Sequence, residues 1–113
     1  MSFNEIITVL FLLLSGHAVA DYALQSDFIA NAKNQTTELG KQFWVHVLPA
    51  HSLIHGLAVF LATDLIWLGV AETIIHGITD YFKSAGKISL MQDQLIHFVC
   101  KVLWLVVCIL VAV

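Results

Sequence analysis

Residues 89–113 read SLMQDQLIHFVCKVLWLVVCILVAV, and two features of this stretch decide the fold. Ser89 followed three residues later by Gln92 is a capping box, which marks a helix start and leaves about 24 residues of helix to follow. At 1.5 Å per residue that is about 36 Å, enough to cross the roughly 30 Å of hydrocarbon in a bilayer. The apolar run is interrupted at Asp93, His97 and Lys101, each four residues after the last. That spacing keeps all three on one helical face, so the helix offers lipid an apolar surface and its neighbours a polar stripe.

The remainder of the chain has the same character. Its 113 residues suit one domain, and 59% hydrophobic with 12% charged residues lies far from soluble composition, which carries about 25% charged. A water-soluble monomer, a disordered chain and a nucleic-acid binder are excluded together. Five basic residues, all Lys, within a net charge of -3 leave no patch for phosphate backbones. Membrane lipids are the expected partners, joined by further copies of the chain if it forms a homo-oligomer. Cys100 and Cys108 fall in the apolar C-terminal stretch and read as small buried hydrophobes rather than a disulfide or metal pair.

Apolar stretches cover about 5–30, 43–62, 65–82 and 90–113, separated by a polar loop over 31–41, a tight turn near Thr63-Asp64 or Gly69, and a second polar loop over 83–89. This pattern predicts an all-α integral membrane protein: a single domain over 1–113 forming a four-helix up-down transmembrane bundle. Residues 49–84 supply only 36 positions for two crossings. The second helix is therefore expected to start before Pro49, near Gln42, with a kink at the proline, unless the pair crosses a locally thin bilayer. Ala18-Val19-Ala20 resembles a signal-peptide cleavage site, but Glu5 without any Lys is a poor n-region, so the first helix is expected to remain as an anchor. Lys33, Lys41, Lys83 and Lys87 all belong to the first and third loops, which predicts those loops cytoplasmic and both termini outside. The sequon Asn34-Gln35-Thr36 would then be a chance match.

Ionisable residues inside the apolar stretches come in pairs four apart: His17 with Asp21, His51 with His55, His76 with Asp80, and Asp93 with His97. Six His and eight acidic residues scattered at random would give about one such His-containing pair. Here there is one in every predicted helix, with Glu72 and His76 in addition. The pairs fall late in the first and third helices and early in the second and fourth, so an up-down bundle brings all four to one depth. Five His and three Asp converging there suit one or two divalent transition-metal ions per chain, Zn first and then Mn or Fe. Polar residues gluing helices together are the alternative for any single His. Three membrane-embedded Asp with no Arg to neutralise them favour cations. Lys101 extends the stripe of Asp93 and His97 and could neutralise the site, hold an anion or form an interhelical ion pair. His46, without a helical partner, is expected at the interface, and Trp44, Trp67, Trp104, Tyr22 and Tyr81 in aromatic belts or packing.

The segments HAVADYALQ from His17, HGITDYFK from His76 and DQLIH from Asp93 resemble the three signatures of a bacterial and phage membrane family of unknown function, DUF3307. The likeness covers nearly the whole chain and implies a bacterial inner-membrane location, supporting the site residues while leaving the chemistry open. A more distant likeness is to inner-membrane metal-dependent hydrolases, which also place His and Asp in short helices. The first functional expectation is a membrane-embedded metal-dependent hydrolase acting on an amphiphilic substrate at headgroup level. His51, His55, His76 and His97 are its expected ligands, with His17 in the same set. Asp21, Asp80 and Asp93 would divide ligation and general-base work, and Asp21 and Asp93 are the expected catalytic bases. The alternatives are a divalent-metal binding or transport protein and a small membrane factor with a structural metal. A haem between two His is weaker, because carboxylates suit harder cations.

Overall fold

Two helices in the structure start with the same four-residue device. The Ser89 hydroxyl accepts from the Gln92 N–H while the Gln92 side chain accepts from the Ser89 N–H, and Ser2 and Glu5 do likewise near the N-terminus. The structure, a computed structural model, describes residues 1–112 and is all-α. Its helices are α1 (Phe3–Ala18), α2 (Asp27–Ala32), α3 (Glu38–Thr63), α4 (Ile66–Ser84) and α5 (Leu90–Val111). A π-helical turn, Val19–Ala23, extends α1.

The first apolar stretch does not continue to residue 30. It ends after the π turn, and the Ser26 hydroxyl accepts from the Ile29 N–H to start α2, as a serine offering its own cap to the backbone does. The expected loop over 31–41 is also structured. Helix α2 packs on α3, and Thr37 caps α3 by accepting from the Gly40 N–H at 2.8 Å. Helix α3 therefore begins at Glu38 rather than near Gln42, and its 26 residues span about 39 Å, so no thin bilayer is required. Pro49 lies within α3, where it removes one backbone donor. The turn after α3 is made at Asp64, whose left-handed φ of 57° an aspartate tolerates, with its N–H donating to the Phe60 carbonyl at 2.7 Å. Gly69 instead lies inside α4.

Helix α1 packs on α3 and α5, and α4 packs on the same two, closing a ring of four long helices. The tightest approach is between α3 and α4. A Cβ built on Gly56 would sit 2.5 Å from the Gly69 carbonyl oxygen, and one on Gly69 would sit 2.8 Å from the Gly56 carbonyl oxygen. Only a residue without a side chain fits either position, which is how small residues let membrane helices touch backbone to backbone.

The distribution of polarity is inverted relative to a soluble domain. His51, His55, Glu72, His76, Asp80, Asp93, His97 and Lys101 are buried, while Leu53, Leu57, Leu61, Ile74, Ile78, Leu95 and Val99 are exposed. The apolar part of the interior, with Leu13, Val59, Leu68, Cys100, Trp104 and Cys108, fills the end near the α3–α4 turn. The charged part fills the opposite end. Among the described residues three helices, α1 with its π turn, α3 and α5, are long and apolar enough to span a membrane. Helix α4 falls short of that standard because Glu72, His76, Asp80 and Lys83 lower its hydropathy; the first three of these are buried against its neighbours.

Gly56→Ala is expected to cost about 1–3 kcal/mol through overpacking at the α3–α4 contact. Ile74→Ala, on the exposed face of α4, is expected to change stability by less than about 0.5 kcal/mol. Thermal unfolding in detergent checks both; equal effects would remove the close-contact argument.

Candidate metal centre

Helical spacing puts each i, i+4 pair on one face, and packing turns all those faces inward. The His55 and His76 rings, from α3 and α4, stack with centroids 3.6 Å apart, and His76 and His97 stack at 4.4 Å. His51 lies 4.8 Å from His55 and 5.1 Å from His76, and His17 lies 5.2 Å from His55, all between ring centroids. The five imidazoles expected to converge do so, although the groups that contribute them are up to 80 positions apart in sequence.

The carboxylates complete the cluster in three different ways. Asp21, on the π turn, places Oδ1 2.8 Å from His55 Nε2 and 3.4 Å from His51 Nε2, with Oδ2 3.3 Å from His17 Nε2. Asp80 accepts from Lys33 at 2.5 Å and lies 3.8 Å from His76 Nε2. Asp93 lies 3.2 Å from His97 Nε2 and accepts from the Gln94 amide at 3.0 Å. Lys83 lies 3.7 Å from Asp80 and 4.0 Å from Asp93, serving both at longer range.

Two sets of donors could hold a metal ion. Asp21, His51, His55 and His76 each offer one ligand atom within 4.8 Å of the others, and so do Glu72, His76 and His97. His17, Asp80 and Asp93 belong to neither set, although each contacts a member of one: His17 and Asp21, Asp80 and His76, Asp93 and His97. Both ring nitrogens of His51 and of His76 are buried without a hydrogen-bond partner among the described residues, as is Nδ1 of His55. A buried polar atom left unpaired costs about 1–3 kcal/mol, and a cation bound among these nitrogens would offset that cost. Nitrogen and carboxylate oxygen in a tetrad is a donor set that suits a divalent transition metal.

A cavity of about 150 Å³ lies against the cluster, lined by His76, His97, Asp93, Gln94 and Lys83 and rimmed by the exposed residues Tyr22 and Leu90. It reaches the surface at the end of the bundle where α4 meets α5. At the other end the apolar residues around Leu13, Val59 and Trp104 close the interior.

Residues 9–113 match the family described as Protein of unknown function (DUF3307). The chain belongs to this family. The DUF3307 match includes every residue of both donor sets and the full α3–α4 contact. No curated protein and no solved structure matches the chain.

Three contributions differ from the sequence reading. Lys33, counted among the loop lysines, is buried and pairs with Asp80, because α2 folds back and carries it to α4. Glu72, read only as a spacing partner of His76, is a donor in the second set and forms an ion pair with Lys101. Trp104, expected in an aromatic belt or in packing, is packed in the interior and in addition donates its indole N–H to Glu72 at 2.7 Å. The Glu72–Lys101 pair had a signal in the spacing, since Glu72 stands four before His76 and Lys101 four after His97, whereas Lys33 had none. His46 is exposed and outside the cluster, as expected of an interfacial residue.

Lys33→Met should destabilise the protein by about 3–5 kcal/mol, because it strips a buried carboxylate of its closest cation. Lys41→Met removes an exposed pair with Glu38 and should cost no more than about 1 kcal/mol. Comparable melting temperatures for the two would show that Asp80 does not depend on Lys33.

Proposed function

We propose that the protein is a membrane-embedded metal-dependent hydrolase whose substrate is an amphiphile presented at headgroup level. The observation that carries this reading is the tetrad of Asp21, His51, His55 and His76, which holds buried ring nitrogens without partners and of which Asp21 and His76 line a cavity that reaches the surface on one side. In this reading α4 is the fourth span, since it lies along α3 and its 19 residues rise about 28 Å. The metal is Zn first, from the balance of imidazole and carboxylate donors.

Each group has a task. A divalent cation in the tetrad would lower the pKa of water toward about 7 and polarise a substrate carbonyl or phosphoryl oxygen. Asp93 faces the cavity and lies outside both donor sets, so it is the proton acceptor in the proposed scheme. Asp21 sits among the ring nitrogens and is assigned as a ligand. Gln94 fixes Asp93 by donating to it, and His17 approaches the other oxygen of Asp21. Lys83, about a third exposed at the rim, is placed to meet an anionic headgroup. Membrane lipid is thereby both solvent and substrate source. A transport path would have to continue through the apolar layer of Leu13, Val59 and Trp104, and the polar side chains instead end at Glu72 and Lys101.

Purified protein is expected to carry Zn and to release a cleavage product from bacterial lipid extract, read by mass spectrometry. His51→Ala and His76→Ala should lose metal and product together. Asp93→Asn should keep the metal and slow turnover by about 10²–10⁴-fold, the usual contribution of a general base. Metal-free protein with an intact bundle would sink the metal reading, and metal-loaded protein with no lipid product would sink the hydrolase reading.

The cavity is proposed to open to the cytoplasm, because Lys41, Lys83 and Lys87 lie at that end. A cysteine introduced in place of Lys87 should react with membrane-impermeant maleimide in inverted vesicles and be protected in intact cells. Labelling of intact cells would turn the cavity outward.

A further inference from the structure

The polar interior extends one helical turn beyond the His cluster. Glu72 precedes His76 by four on α4, Lys101 follows His97 by four on α5, and the two side chains meet in a direct buried ion pair. Trp104 donates to the other carboxylate oxygen of Glu72, so both oxygens are engaged. By donor type Glu72, His76 and His97 form a second cation site that shares His76 with the tetrad. Glu72 is thus already committed, while His97 engages Asp93 through Nε2 at 3.2 Å and keeps Nδ1 without a partner.

We infer that the Lys101 ammonium is the resident cation of this inner site and limits the centre to one metal, held by Asp21, His51, His55 and His76. This rests on the metal reading proposed above. A tethered ammonium is always present at its carboxylate, whereas a metal ion must arrive from solution and displace it. Two cations a few ångströms apart in a low-dielectric interior repel strongly, so an ion at Glu72 is disfavoured while Lys101 stays. With Glu72 neutralised, His76 serves the outer tetrad and His97 is left to Asp93. The sharing of one imidazole between two donor sets is resolved by a lysine.

The test is Zn²⁺ alone, titrated into chelator-stripped full-length protein in detergent, with bound metal counted by elemental analysis. The wild type should saturate at one equivalent per chain. Lys101→Met, which keeps side-chain volume and removes the charge, should bind two, and its thermal stability should rise with the second equivalent. The double change Glu72→Gln with Lys101→Met should return to one. That variant buries no unpaired charge, so it carries the test even where Lys101→Met alone does not fold. Two equivalents in the wild type, one in folded Lys101→Met, or loss of metal from the double variant would each overturn the role given to Lys101. No metal in the wild type would overturn the earlier reading instead.

Discussion

An apolar interior cannot solvate charge, and the arrangement of this bundle follows from that constraint. Each carboxylate inside it must find its counter-charge within the protein, because leaving one buried and unpaired costs several kcal/mol. Asp80 obtains Lys33 and Lys83, Glu72 obtains Lys101 and Trp104, and Asp93 obtains Gln94 and His97. Asp21 has imidazoles and the Gln94 amide, and no lysine. The buried atoms left without partners are chiefly ring nitrogens of the histidines around Asp21.

The same constraint explains why a six-residue helix lies across one end. Helix α2 contributes little apolar surface of its own, yet it folds back on α3 and delivers Lys33 to a carboxylate 47 positions later in the chain. The Gln35 side chain, donating to the Tyr81 carbonyl, fastens the same segment to α4. Close backbone contact at Gly56 and Gly69 acts on the other side of the cluster. It sets α3 and α4 near enough for the neighbouring His55 to stack on His76. A bulkier contact would keep both imidazoles and separate their rings.

The all-α class, the helix start at Ser89 and the convergence of the eight paired residues were legible in the sequence, because a period of 3.6 makes residues four apart share a face whatever surrounds them. The division of those eight was not legible. Asp21 and Asp80 both follow a His by four, and nothing local separates the one without a lysine from the one that meets Lys33. That difference arises from α2, which the sequence reading divided between the end of the first apolar stretch and the loop after it, and whose limits show only when Ser26 and Thr37 are seen capping α2 and α3. The start of α3 was missed for the same reason: Glu38 to Lys41 look like loop until Thr37 caps them. Glu72 was legible as a partner of His76 by spacing, but its place at the inner end of the cluster depends on Lys101 reaching it from another helix.

Charge balance then bears on how many metal ions the interior can take. Asp21, Glu72, Asp80 and Asp93 bring four negative charges, and Lys33, Lys83 and Lys101 return three. With the imidazoles neutral, one negative charge is left over, and it falls near Asp21, the only one of the four carboxylates without a lysine beside it. A single divalent cation in the tetrad reverses that to one positive charge, next to a cavity that reaches the surface beside Lys83. Two divalent cations would leave three positive charges in a space a few ångströms across, which a low-dielectric interior does not sustain without further anions. One metal thus leaves a site whose remaining charge suits an anionic group arriving through the cavity, in keeping with a headgroup that carries phosphate or carboxylate.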